Sequence, residues 1–312
     1  MVRRIKTVGR WPSGAGAPRT QADRPSDDGR RASAGPLLAT LALALALGGC
    51  STIANMPSTM VDDSASAASP ANLASLTEVL AKNPNDPQAY NMRGSVLGQS
   101  GRYQEALADF DKAIAIDPNY AQAYANRALA RRQTGQIDLA LADYERALQI
   151  DPGYAVAYVG RGMTYRDKGE LLRALQDFNK AIQIRPDNAQ AYYNRGLLYQ
   201  SQRQHQYAID DFSTAIGLSH QQAEPFIARA LSYLAAGDAK AAAGDLDDAV
   251  EVEPENVQAW TSRGLAYERL NDKEKAAGSY ARALALRQGY GPAVAGFKRV
   301  GGEPGKSYTT FN

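Results

Sequence analysis

The sequence predicts an all-α solenoid, and three observations lead to that fold class. Apolar residues recur at three- and four-residue spacing over most of the chain, as they do along one face of a helix. Pro84, Pro118, Pro152 and Pro186 stand 34 residues apart, and Pro254 falls on the same grid after one skip. Alanine holds two places in every turn of that grid: Ala106, Ala140, Ala174, Ala208, Ala242 and Ala276 in one, and Ala113 through Ala283 in the other. A fixed period of this length is the mark of stacked helical units, each of which buries its apolar face against its neighbours.

The first 49 residues stand apart from the grid. The chain of 312 residues carries a formal net charge of +2, and eight Lys and Arg against three acidic residues before Cys50 place +5 in that leader and −3 in the rest. After Cys50 the acidic and basic residues interleave, so no face reads as a nucleic-acid-binding surface. The run PLLATLALALALGG from Pro36 is shorter than the roughly 20 residues of a spanning helix and suits a secretory signal core. LGGC, Leu47 to Cys50, resembles the bacterial lipoprotein box. The resemblance implies loss of residues 1–49, a diacylglycerol on the Cys50 sulfur and an acylated new amino terminus. The mature protein is then held on a bacterial membrane, by expectation the outer one, facing the periplasm. Cys50 is the single cysteine, so no internal disulfide forms and stability rests on packing.

Residues 50–70 are rich in Ser and Ala and poor in large apolar residues, which predicts a flexible tether with a reach of about 25 Å. Residues 71–86 read as an N-terminal capping helix. Six units follow over 87–288, starting at 87, 121, 155, 189, 223 and 257. A C-terminal capping helix is expected over 289–300 and a flexible tail over 301–312. Cap helices of this kind cover the apolar faces of the terminal repeats.

Within a unit, Ala121 to Gln133 reads as helix A and Asp138 to Ile150 as helix B. Position 4 is aromatic in all six units, from Tyr90 to Trp260; position 8 is Gly or Ala; position 24 is large, from Phe110 to Tyr280. Small residues where helices cross and large ones between crossings suit a stacked hairpin. Gly101, Gly135, Gly169 and Gly237 make the turn between the helices. Asn271 replaces that glycine mildly, whereas Arg203 predicts a reshaped turn. Arg131, where other units carry Leu or Tyr, predicts looser packing in the second unit.

Position 7 is always arginine: Arg93, Arg127, Arg161, Arg195, Arg229 and Arg263. Position 23 is aspartate five times, at Asp109, Asp143, Asp177, Asp211 and Asp245, with Ser279 in the sixth unit. These residues predict a structural ladder of partly buried ion pairs that fixes the register of similar helices. The pattern leaves open whether each pair lies within a unit or joins one unit to the next.

The 34-residue pattern resembles the tetratricopeptide repeat, and it does so from residue 87 to 288 without a break in register. The resemblance implies that positions 2, 5, 6, 9, 12 and 13 of helix A line a concave face that binds other proteins. Carried onto this chain, the partner-binding groove comprises Asn126, Val156, Val159, Met163, Arg166, Tyr193, Asn194, Leu197, Ile227, Leu231, Leu234 and Leu265. Leu129 shares position 9 with Met163, Leu197, Leu231 and Leu265. Its middle is apolar and suits a partner's helix or extended segment, although the same leucines also suit packing between helices. Asn126 and Asn194 are placed to hold a peptide backbone. Lysine is absent from these positions, so the family's clamp for a C-terminal carboxylate is not expected.

Catalysis is not expected, because no nucleophilic triad, phosphate loop, CxxC pair or cluster of metal ligands is visible. His205 and His220 read as surface turn residues of the fourth unit. No cofactor or metal is implied, and self-association stays open. The chain is similar to periplasmic tetratricopeptide lipoproteins of the NlpI kind, which implies an adaptor that recruits peptidoglycan hydrolases and proteases. An assembly lipoprotein for a pilus, secretion system or outer-membrane machine is the alternative, and an enzyme with a concealed site the more distant one.

Overall fold

The computed structural model describes residues 70–308, and these form fourteen α-helices with no strand among them. The expected signal peptide, Cys50 and the expected tether up to residue 69 lie outside the described residues. Helix α1 (Pro70–Lys82) leads. The six hairpins are α2 (Pro87–Gln99) with α3 (Tyr103–Ile116), α4 (Ala121–Gln133) with α5 (Ile137–Ile150), α6 (Ala155–Asp167) with α7 (Leu171–Ile184), α8 (Ala189–Ser201) with α9 (His205–Leu218), α10 (Ala223–Ala236) with α11 (Ala239–Val252), and α12 (Val257–Arg269) with α13 (Lys273–Leu286). Helix α14 (Gly291–Arg299) closes the stack.

Local chemistry sets the helix ends. Asp86 Oδ1 accepts from the backbone N–H groups of Gln88 and Ala89 at 2.9 and 3.0 Å, with Pro87 at the first helical position. Asn188, Asp238, Asn256 and Asp272 cap α8, α11, α12 and α13 in the same manner. Each side chain satisfies donors that the first turn leaves unpaired.

The turn between helices is the same in all six units. The N–H following the turn residue donates to a carbonyl five residues back: Arg102 to Leu97 at 2.9 Å, Gln136 to Arg131 at 2.8 Å, Gln204 to Tyr199 at 2.9 Å and Asp272 to Tyr267 at 3.0 Å. That closure requires a left-handed residue, and Gly169 supplies it at φ 82°. Arg203 adopts it at φ 60° and Asn271 at φ 61°. The expected reshaping at Arg203 therefore does not occur: the hydrogen bond and the packing on both sides hold the arginine in a glycine's conformation.

The core runs along the stack between the helices of each hairpin. Both alanine series are sealed, at 0–1 % exposure throughout, and the position 24 side chains are at 0–2 %. Close approach explains the small residue at position 8. A Cβ placed on Gly162 would stand 2.7 Å from Phe178 Cε1, and Gly94, Gly196 and Gly264 face Phe110, Phe212 and Tyr280 at similar range. The fifth unit solves the same crossing with Ala230 over Leu246, both fully buried.

Two further expectations change, one at the C-terminal end and one in the fourth unit. Residues 301–308, expected as a flexible tail, fold back: the Tyr308 ring meets Phe297 edge-on at 5.9 Å, and its hydroxyl accepts from Glu303 N at 2.7 Å. His205 is no turn residue but the first residue of α9, half-buried, with Nδ1 sealed and unpartnered. His220 is exposed outside the helices.

Candidate protein-binding groove

The arginines of position 7 organise the scaffold that carries the groove. Arg93, Arg127, Arg161, Arg195 and Arg229 each donate through Nε and Nη2 to both oxygens of the aspartate 16 residues on, at 2.7–2.9 Å. These are fork-to-fork pairs within a unit, with both charges and their lone pairs matched. The hydrogen bonds it donates to Asp211 hold the Arg195 guanidinium above its ordinary pKa, against the opposing pull of burial.

A second contact reaches the preceding unit, 16 residues back. Arg127 Nη1 donates to Asp111 at 2.6 Å, Arg195 Nη1 to Asn179 at 2.6 Å, Arg229 Nη1 to Ser213 at 2.9 Å, and Arg263 Nε to Asp247 at 2.6 Å. These four arginines thus join two hairpins; of the two registers that the pattern left open for the position 23 aspartates, the one within a unit is used, and the contact to the preceding unit comes from position 25. Aromatic rings flank the guanidinium: Arg195 lies 5.5 Å from the Tyr192 ring centre and 5.9 Å from that of Tyr199. Arg131 does not loosen its unit. Its Nη1 donates to Asp143 Oδ2 at 2.7 Å, so Asp143 takes two guanidinium groups.

The expected groove residues divide into three sets. Val159 and Ile227 are buried at 4 % and belong to the core. Asn194, at 2 %, accepts from Arg166 Nη1 at 3.1 Å and donates to Gln190 O at 2.8 Å. Its amide holds the scaffold together, so the expected grip on a peptide is corrected there. Tyr193, Leu197, Leu231, Leu234, Met163 and Leu265 are half-buried. Leu197 and Tyr193 lie against the cluster around Phe212, whose ring is 5.8 Å from that of Tyr193. Leu231 and Leu234 rest on the C-terminal core. Packing between helices thus claims most of the position 9 side chains.

The open apolar surface lies earlier in the stack. Leu129 is 45 % exposed and Val156 53 %. Two adjoining cavities meet at Leu129, Asn126 and Gln133, one of about 360 Å³ reaching back to Ser95 and Gln99, the other of about 270 Å³ reaching forward to Val156, Met163 and Gln190. Asn126 Nδ2 donates to Asn91 Oδ1 at 2.9 Å and to Ser95 Oγ at 3.2 Å, which fixes the amide at the junction. At the other end of the stack Glu268 is bound by Arg299 at 2.8 and 2.9 Å and accepts from the Tyr280 hydroxyl at 2.8 Å.

Reasoning from repeat positions missed Tyr144 and Gly160, which line the forward cavity. Their signal was available. Where position 24 is tyrosine, at Tyr144 and Tyr280, the residue 16 further on is glycine, at Gly160 and Gly296. A Cβ at either glycine would collide with the tyrosine ring.

No cluster of three or more His, Cys, Asp or Glu suited to a metal occurs among the described residues, and none of their helices is long and apolar enough to cross a membrane.

The tetratricopeptide repeat pattern matches residues 87–120, 121–154 and 189–221, and two longer versions of it match 162–202 and 227–290. The chain belongs to the tetratricopeptide repeat family. Among solved structures, this repeat protein is similar to a chain of the APC/C hetero-tetramer Cut9-Hcn1, at 18 % identity and TM-score 0.65, over 76 % of this chain and 48 % of that one. It therefore spans about half the length of that relative. It is similar also to PilF of Pseudomonas aeruginosa, at 20 % identity and TM-score 0.60, over 68 % of this chain and 95 % of that one. Both likenesses show the solenoid fold. YrrB, described as a tetratricopeptide protein with an unusual peptide-binding site, is 25 % identical with TM-score 0.50, over 61 % of this chain and 97 % of YrrB. No curated protein matches the sequence significantly.

Proposed function

We propose that this protein is an adaptor whose second and third repeats capture an extended segment of a partner protein. The observation that carries the reading is the pair of adjoining cavities that share exposed Leu129, the forward one also lined by exposed Val156. Apolar side chains left open beside fixed amides are what a peptide's alternating side chains and backbone require. The peptide-binding site described for YrrB supports a groove of this type on a similar solenoid.

The reading extends to the cell envelope through the leader. The lipoprotein-like LGGC and the apolar run before it support cleavage before Cys50, acylation of its sulfur and display on the periplasmic side of a bacterial membrane. Recruitment of peptidoglycan hydrolases or proteases is the role that the NlpI-like resemblance favours.

The test is capture by the full-length protein in detergent-solubilised envelopes, with and without the double substitution Leu129→Asp, Val156→Asp. We expect wall hydrolases or proteases to be retained by the native chain and lost from the variant, with helicity unchanged. Equal capture by both proteins overturns the groove, and retention of pilus or secretion components in place of wall enzymes overturns the assigned partner class.

A further inference from the structure

The forward cavity contains a hydroxyl that the fold itself does not use. Tyr144 is 2 % exposed, yet its side chain lines the cavity of about 270 Å³, and no side-chain hydrogen bond acts on its hydroxyl. Tyr280, its counterpart in the last unit, has the same glycine 16 residues on but spends its hydroxyl on Glu268. In the second unit Arg132 stands at the place of Glu268, so Tyr144 has no carboxylate to meet. The hydroxyl meets only what enters the cavity, and an acceptor that arrives there gains its hydrogen bond in place of solvent.

The charge around it selects the acceptor. Arg132 Nε is 2.7 Å from Asp167 Oδ2, and Arg166 Nη2 is 3.9 Å from the other oxygen of the same aspartate. Two half-buried guanidinium groups therefore share one carboxylate, which leaves a surplus positive charge at the cavity. Burial holds the Arg166 pKa below its ordinary value, and the neighbouring Arg132 adds to that effect. Burial also pushes the Tyr144 hydroxyl up, so it stays protonated and offers a hydrogen. Leu129, Val159 and Met163 give the cavity an aliphatic wall, beside the amides of Asn126, Gln133, Asn188 and Gln190.

We propose that this cavity is a specificity pocket for a glutamate side chain, whose two methylenes pass Leu129, Val159 and Met163 and whose carboxylate accepts from the Tyr144 hydroxyl beside Arg132. The inference rests on the peptide-groove reading and adds to it the residue that the groove selects.

The probe is a set of N-acetylated, C-amidated octapeptide pools, random except for a central Glu, Gln or Leu, with a fourth central-Leu pool that ends in a free carboxylate. The full-length protein should retain the Glu pool about tenfold better than the Gln pool. Tyr144→Phe should weaken retention of the Glu pool about tenfold and leave the Leu pool unchanged. Phenylalanine already fills the equivalent place at Phe110, Phe178 and Phe212, so this variant keeps the fold. Arg132→Gln should remove the preference for Glu over Gln. Equal retention of the Glu and Gln pools, indifference to Tyr144→Phe, or preference for the free carboxylate overturns the pocket. When pools are retained and Leu129→Asp releases them while Tyr144→Phe does not, the pocket alone falls. When the native protein retains no pool, the groove reading falls and the pocket with it.

Discussion

The guanidinium of Arg263 donates to Ser279 Oγ at 2.8 Å, in the place where five other arginines of the stack meet an aspartate. Arg263 is also the most deeply buried of the six, at 3 % exposure, and its carboxylate comes from Asp247 of the preceding hairpin at 2.6 Å. Tyr267 joins the same carboxylate at 2.9 Å. The sixth unit has therefore moved its charge pairing from within the hairpin to the junction between hairpins.

That shift predicts unequal costs at one repeat position. Asp247→Asn takes the carboxylate from a buried guanidinium and should destabilise the protein by about 1–3 kcal/mol, less than for a fully buried pair because Asp247 itself is 39 % exposed. Asp111→Asn removes the equivalent contact from Arg127, which keeps both oxygens of Asp143, and Asp111 is largely exposed. Its cost should stay near or below about 1 kcal/mol. Urea denaturation followed by far-UV circular dichroism compares the two, and equal midpoints would contradict the assignment.

At the crossing of helices in the third unit, Gly162→Ala should destabilise by about 1–3 kcal/mol, because its Cβ would press on the Phe178 ring. Phe178→Leu should relieve part of that cost, since the fifth unit already pairs Ala230 with Leu246. A double-mutant cycle measures the coupling. Additive losses would show that the contact is not what limits position 8.

Arg203 holds a left-handed backbone at φ 60°, where a side chain costs of order 1 kcal/mol or more. Arg203→Gly should therefore raise the thermal midpoint. Asn271→Gly should change it much less, as asparagine tolerates this conformation better than arginine. A lower midpoint for Arg203→Gly would mean that the arginine side chain supplies an unseen benefit.

These cases separate what was legible in the sequence from what was not. Helix starts at 87, 121, 155, 189, 223 and 257 followed directly from the period, because caps, turn residues and buried alanines repeat with it. The turn at Arg203 was not legible, since a residue's identity gives the cost of a conformation and the surrounding hydrogen bonds decide whether that cost is met. The groove was legible only as a set of positions. Leu129 and Leu197 share position 9, yet Leu129 is 45 % exposed while Leu197 rests against the Phe212 cluster. Exposure depends on the side chains of neighbouring helices, which a rule of positions leaves out. Likewise position 25 was passed over because it is Thr77, Asp111, Glu145, Asn179, Ser213 and Asp247 in turn, a series with no common residue type, although five of its members accept from the arginine 16 residues on.

The C-terminal cap carries a pH dependence whose sign follows from Glu268. The hydrogen bond from Arg299 depresses the Glu268 pKa, and the Tyr280 hydroxyl adds to the effect against burial. A carboxyl whose folded pKa is depressed contributes stability that is present above its unfolded value of about 4.3 and is lost as pH falls through the folded value. Arg299 lies at the end of α14 and Glu268 near the end of α12, so this loss loosens the cap before the stack. Arg299 is half exposed, which keeps the contribution at about 1 kcal/mol or less. Amide chemical shifts of Ala293 and Gly296 should move toward unstructured values as pH falls below about 4, while those of the fully buried Ala174 and Ala208 stay fixed. In Glu268→Gln the cap should be weaker at neutral pH and its shifts flat across the same range. A Glu268→Gln titration that kept the native pH dependence would assign the transition to another group.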